Sequence, residues 1–190
     1  MFTAPCLENN FLRNKILEMK PGEVLEFALL ELWKDLRQCV KKVEIKELIF
    51  CDNGIGFYQS DFIHTWRIPD KLFTWKVNRI KPYLSYGLLH FKSVNWTNRL
   101  IRQAWYRCIE LIRHPQEIKR IKYYYRDDEN EKNFQIMACP DSWFSGYTFI
   151  DFSVYQQPEQ WHKQQILQWF EQYGHELFAD LDIWNIDWEK

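Results

Sequence analysis

The chain has 190 residues, 46% of them apolar and 27% charged, with a formal net charge of −1. That length suffices for one well-buried domain, and the balance of apolar to charged residues excludes a disordered polar chain. The near-zero charge gives no overall attraction to nucleic acid, and no stretch reaches the ~18–20 continuous apolar residues of a membrane helix.

Ten Trp, ten Tyr and fourteen Phe make the composition unusually aromatic, which favours a core built from few, bulky side chains. The segment from Met1 to Glu8 carries an acid and no basic stretch, so no signal peptide is expected. Cys6, Cys39, Cys51, Cys108 and Cys139 are odd in number and scattered, with no C-x-x-C or Cys/His zinc spacing. They read as free thiols in a reducing compartment, and a cytoplasmic location is the expectation.

In chain order, a short helix is expected from Leu7 to Met19, stopped by Pro21-Gly22. Leu25, Ala28, Leu29, Leu32, Leu36 and Val40 recur at spacings of three and four, which predicts a helix over Glu23 to Lys42. Leu48 to Asp52 is β-rich, and Asn53-Gly54 suits a type I′ turn leading into a second strand from Ile55 to Tyr58. A further extended run covers Phe62 to Ile68, and a short helix is drawn over Lys71 to Ile80. Asn95 or Thr97 caps the next helix, whose apolar stripe is Ile101, Ala104, Trp105, Cys108, Ile109 and Ile112, with His114-Pro115 as its stop.

Ile118 to Arg126, Phe134 to Cys139 and Tyr147 to Tyr155 read as three strands of an antiparallel meander. Pro158 opens a final helix with Ile166, Trp169, Phe170, Tyr173 and Leu177 on its buried side and Gly174 near its end. The tail alternates Trp184, Ile186 and Trp188 against Ile183, Asn185 and Asp187, as an edge strand or docking segment would. With no repeat or linker, the expectation is one α+β domain over 1–190, an antiparallel sheet covered by three or more amphipathic helices.

Three surfaces carry candidate chemistry. The C-terminal acids and tryptophans, Asp180, Asp182, Trp184, Asp187 and Trp188, pair aromatic anchors with charge that steers basic partners. The segment Arg99 to Arg126 holds eight Lys/Arg against Glu110 and Glu117. Within it Arg113, Lys119, Arg120, Lys122, Tyr123, Tyr125 and Arg126 combine phosphate-binding cations with rings on which bases stack. From Asp141 onward there are nine acids against Lys163 and Lys190, so the two segments either form opposite surfaces or neutralise one another.

The third surface is Asp52-Asn53-Gly54-Ile55-Gly56-Phe57, which resembles the D-x-G-x-G box of the GHKL ATPase superfamily. The resemblance implies that Asp52 contacts adenine and that Gly54 and Gly56 make room for the nucleotide. It also implies that Glu31, in Ala28-Leu29-Leu30-Glu31-Leu32, rides on a helix. Asp35 stands where that family has a Mg²⁺-binding Asn, and no Gly-rich phosphate lid follows.

Elsewhere the signals are bland. Cys51 beside Asp52, with His64 on the next run, is the one drawable thiol arrangement, and an adjacent Asp raises a thiol pKa. His90, His114, His162 and His175 fit no metal or catalytic spacing. Asp127, Asp128, Glu129 and Glu131 lack EF-hand order. No catalytic residue, metal site or cofactor is therefore expected. The reading is a non-catalytic cytosolic protein-binding module of inhibitor, adaptor or immunity type. The alternatives are a nucleic-acid binder and a degenerate GHKL-type nucleotide binder.

Overall fold

A computed structural model describes residues 2–3, 11–41, 46–51, 54, 76–79, 87–125, 134–144, 147 and 151–189. Its elements are β1 (Phe2–Thr3), α1 (Phe11–Leu17), β2 (Glu23–Trp33), β3 (Gln38–Val40), β4 (Lys46–Phe50), β5 (Lys76–Arg79) and β6 (Gly87–Ser93). They continue with α2 (Trp96–Arg113), α3 (Ile118–Tyr125), β7 (Ile136–Ala138) and α4 (Trp161–Tyr173). Short 3-10 turns cover Pro115–Glu117, Asp141–Trp143, Phe152–Gln156 and His175–Phe178. The class is α+β.

The central element is β2, which overturns the helix expected over Glu23 to Lys42. Val24, Leu25, Leu29, Leu30, Leu32 and Trp33 are all buried, so this strand is covered on both faces. A strand of that kind loses the apolar/polar alternation and reads as a nearly continuous apolar run. Its Leu, Glu and Ala content also favours helix locally, and sheet context overrides that weak preference.

Along one edge of β2 run β4, antiparallel from Val24↔Phe50 to Ala28↔Lys46, and β3, antiparallel at Leu32↔Cys39. Along the other edge run β5 and β6, both parallel to β2. β1 adds antiparallel to β6 and β7 antiparallel to β3. The sheet is therefore mixed rather than antiparallel.

Several local expectations also change. Lys76–Arg79 is a strand, not part of a helix. Ile118–Tyr125 is helical, because Ile118, Ile121 and Tyr125 repeat at helical spacing and the Pro115–Glu117 turn feeds straight into them. Phe152–Gln156 is a 3-10 turn, with Asp151 accepting from Ser153 N at 2.9 Å. The tail is a series of turns rather than an edge strand. Gly54 has φ +72°, as an Asn-Gly turn requires, but the proposed hairpin partner 55–58 and the run 62–68 lie outside the described residues.

The helices pack chiefly on one another. Ile101, Ala104, Cys108 and Leu111 of α2 meet Ile121 and Tyr125 of α3, Ile166 and Phe170 of α4, and Phe178, Leu181 and Ile183 of the tail. A separate sheet core joins Leu30, Leu32, Cys39, Leu89, Val94 and Trp143. The opposite face of the sheet buries Leu25, Leu29 and Leu88.

Two end signals were correct. Asn95 caps α2, its side chain accepting from Asn98 N at 3.0 Å. Gly174, at φ +78°, ends α4 and turns the chain into the tail.

If the tail is part of the helical core, Phe178→Ala will lower stability by about 3–5 kcal/mol in urea unfolding, as for other buried Phe truncations. Leu177→Ala, next to it but exposed, will cost less than about 1 kcal/mol.

Candidate functional site

The last part of the chain is the most polarised surface. Residues 164–189 contain no Lys or Arg, while Glu171, Glu176, Asp180, Asp182, Asp187 and Glu189 are all exposed. Because the 3-10 turn His175–Phe178 and the turns after it bury Phe178, Leu181 and Ile183, the intervening acids are pushed outward. Tyr173, Leu177 and Trp184 are exposed apolar groups on the same segment.

The two tail tryptophans play different parts. Trp184 stacks on Phe170 (5.4 Å between centroids, 21° between planes) and on His175 (5.7 Å, 22°). Its Nε1–H donates to Ala179 O at 3.3 Å, yet 42% of the residue is exposed. The ring is thus held in one orientation with part of its surface presented outward. Trp188 is half-buried, edge-on to Phe170, and donates Nε1–H to Ile183 O at 3.1 Å. It belongs to the packing of the tail. Asp187 receives Lys163 Nζ on its backbone carbonyl at 3.0 Å and caps Glu189 N with its side chain.

The basic segment is largely consumed inside the fold. Arg99 and Arg107 are buried. Arg120 Nη2 donates to buried Glu110 at 2.8 Å and its Nε lies 3.4 Å from Glu117. Tyr125 is buried, its hydroxyl donating to Glu110 Oε1 at 3.0 Å, and burial followed by the Glu110 charge pushes its pKa up. Arg113, Lys119, Lys122 and Tyr123 are exposed, whereas Arg126 lies outside the described residues. Of the predicted tyrosine stripe, then, Tyr123 faces outward and Tyr125 inward, as helical geometry requires of residues two apart.

Of the nucleotide-box residues, Gly54 is an exposed bend, and Asp52 and Gly56 lie outside the described residues. Glu31 sits on strand β2, not on a helix. It is buried among partners that sequence reasoning did not bring together. Its Oε2 lies 2.5 Å from His90 Nδ1, and its Oε1 accepts from Arg99 Nη1 at 3.2 Å and from the Ser93 hydroxyl. Arg99 also donates to the Ser93 oxygen, and its guanidinium lies 5.4 Å from the ring centres of both Trp33 and Trp96.

A register shift between β2 and β6 builds this cluster. Leu29 pairs with Leu88 and Glu31 with His90, but Trp33 pairs with Ser93, so β6 holds one extra residue. The bulge turns Ser93 onto the Glu31 face. The chain then enters α2, and Arg99, one turn in, points back at both. Burial alone would raise the Glu31 pKa. The His90 hydrogen bond and charge, with Lys92 and Ser93, outweigh it and hold the carboxyl below its ordinary value.

A second structural clamp fixes the approach to α4. Asn98 Nδ2 donates to Gln157 O at 2.7 Å and its Oδ1 accepts from Glu159 N at 2.9 Å, while Asn95 Nδ2 donates to Gln156 O at 2.7 Å. Among the described residues no group of three or more His, Cys, Asp and Glu side chains could hold a metal ion, and no helix is long and apolar enough to cross a membrane. No protein-family model, curated protein or solved structure matches the chain.

The Glu31 cluster makes two predictions. Arg99→Ala, which leaves a buried carboxylate short of its guanidinium, will cost about 3–5 kcal/mol in chemical unfolding. Because the folded pKa of Glu31 lies below the unfolded one, its contribution is complete above the unfolded value and fades as pH falls through the folded one. The stability gap between wild type and Glu31→Gln, measured as urea midpoints, will therefore be widest near neutrality and narrow on acidification below about pH 4.

Proposed function

We propose that this chain is a protein-binding module of inhibitor, adaptor or immunity type that captures a basic protein partner on its C-terminal face. The observation carrying this reading is Trp184, immobilised by Phe170 and His175 yet 42% exposed, within a segment whose six acids are all exposed and which has no Lys or Arg. Rigid aromatic anchors supply a large share of interface energy, and surrounding charge sets association rate and partner choice. The internal contacts of Arg99, Arg107 and Arg120 support the same reading, since these cations are engaged by Glu31, the Tyr125 carbonyl and Glu110. Free thiols fit a partner met in the cytoplasm.

The nucleic-acid reading retains Arg113, Lys119, Lys122 and Tyr123 as exposed groups, a small footprint beside the one expected from the sequence.

The test is affinity capture with the tagged chain at moderate salt, in wild-type form and as Trp184→Ala and Asp180→Lys/Asp182→Lys. A stoichiometric basic protein should be retained by wild type and bound about 30-fold more weakly by Trp184→Ala, the loss of roughly 2 kcal/mol typical of a hot spot. The double charge reversal should slow association and flatten its salt dependence. Equal capture by all three forms would remove the acidic face from the interface. Co-eluting nucleic acid released by salt would shift the function to α3.

A further inference from the structure

Cys39, on β3, and Cys139, one residue past the end of the neighbouring β7, are free thiols. The β3–β7 ladder pairs Cys39 with Met137, and beyond it Cys139 N donates to Arg37 O at 2.7 Å. Residues two apart on a strand share a face, so Cys139 lies on the same side as Met137 and Cys39, one step diagonal to the latter. Both side chains join the sheet core beside Leu32 and Trp143.

The two thiols lie close enough for each to shift the titration of the other. That proximity lowers the Cys39 pKa against the opposing effect of burial, and together with burial it raises that of Cys139. Cys108 lacks such a neighbour: burial pushes its thiol up to about 12. Exposure divides the pair, since Cys39 is fully buried and Cys139 half-buried.

We propose that Cys39 and Cys139 form a reversible redox couple that closes into a disulfide with a low-molecular-weight disulfide, such as oxidised glutathione, as the oxidant. The pair loses one proton. The remaining proton passes to Cys39 as the more exposed Cys139 sulfur, then the thiolate, attacks the small disulfide, forming a mixed disulfide and expelling one small thiolate. Cys39 then loses its proton and attacks the Cys139 sulfur, closing the protein disulfide and expelling the second small thiolate. Two protein thiols are oxidised and one small disulfide is reduced to two small thiols, which take up the two protons. The product ties the end of β7, paired to β3 over three residues, covalently to β3.

The full-length chain is to be incubated with oxidised glutathione, then alkylated under denaturing conditions and its intact mass and peptides measured. The expected product has lost two hydrogens and two alkylation sites, carries a peptide linking Cys39 to Cys139, melts several degrees higher, and reverts with a dithiol reductant. Cys139→Ala must abolish it, while Cys51→Ser must leave it intact; Cys139 is the variant of choice because Cys39 is wholly buried. A glutathione adduct that persists on Cys139, a different cysteine pairing, or full alkylation at Cys39 and Cys139 would each overturn the proposal.

Discussion

A carboxylate buried in the middle of a sheet is tolerated only if it is answered on every side, and Glu31 sets that condition for this fold. Taking a charge out of water costs several kcal/mol even after relaxation, so an unanswered Glu31 would be incompatible with β2 at the centre. The answer comes from three places at once: His90 across the parallel ladder, Ser93 through the β6 bulge, and Arg99 from the first turn of α2. Each has its identity fixed by the others. A one-residue slip between β2 and β6 would turn His90 to the opposite face and leave the carboxylate in an apolar layer. The cluster therefore specifies register, and it fastens the sheet to the helical core through Arg99 and its flanking rings Trp33 and Trp96.

That division of labour also explains where charge appears outside. Arginines that look like a basic stripe in the sequence are spent on Glu31 and Glu110 or on the Tyr125 carbonyl, which receives Arg107 at 3.2 Å. The tail buries its apolar residues in the helical core and leaves its carboxylates in water, so one end of a nearly neutral molecule is distinctly negative.

Legibility from sequence followed the range of the deciding interaction. The α2 helix was readable because its cap Asn95, its stripe and its stop lie within twenty residues of each other. The helix α4 and its glycine end were readable for the same reason. The strand β2 was not, because burial on both faces erases periodicity, and only partners from distant segments make it a strand. The α3 helix was missed because its run of tyrosines and isoleucines carries strand preference while Ile121 and Tyr125 dock at helical spacing. Among site residues, the acids at 180, 182 and 187 were legible as a surface from composition alone. The difference between Trp184 and Trp188 was not, since it depends on which turn of the tail each occupies. The Glu31–Arg99 pair spans 68 residues and has no local trace.

The parallel pairing of β2 with β6 has a consequence for how the chain reaches this state. Glu31 is synthesised 59 residues before His90, whereas β3, its antiparallel neighbour, follows at once. The β2–β3 hairpin can close early, but the part of the other edge of β2 that holds Glu31 stays open until β6 and the start of α2 have emerged. Closing so long a loop carries an entropic cost before its contacts form, which places sheet completion late and makes it the slow step. During that interval the open edge of β2 is the part of the molecule most exposed to mispairing, and its glutamate, with no partner yet, discourages other strands from adding there.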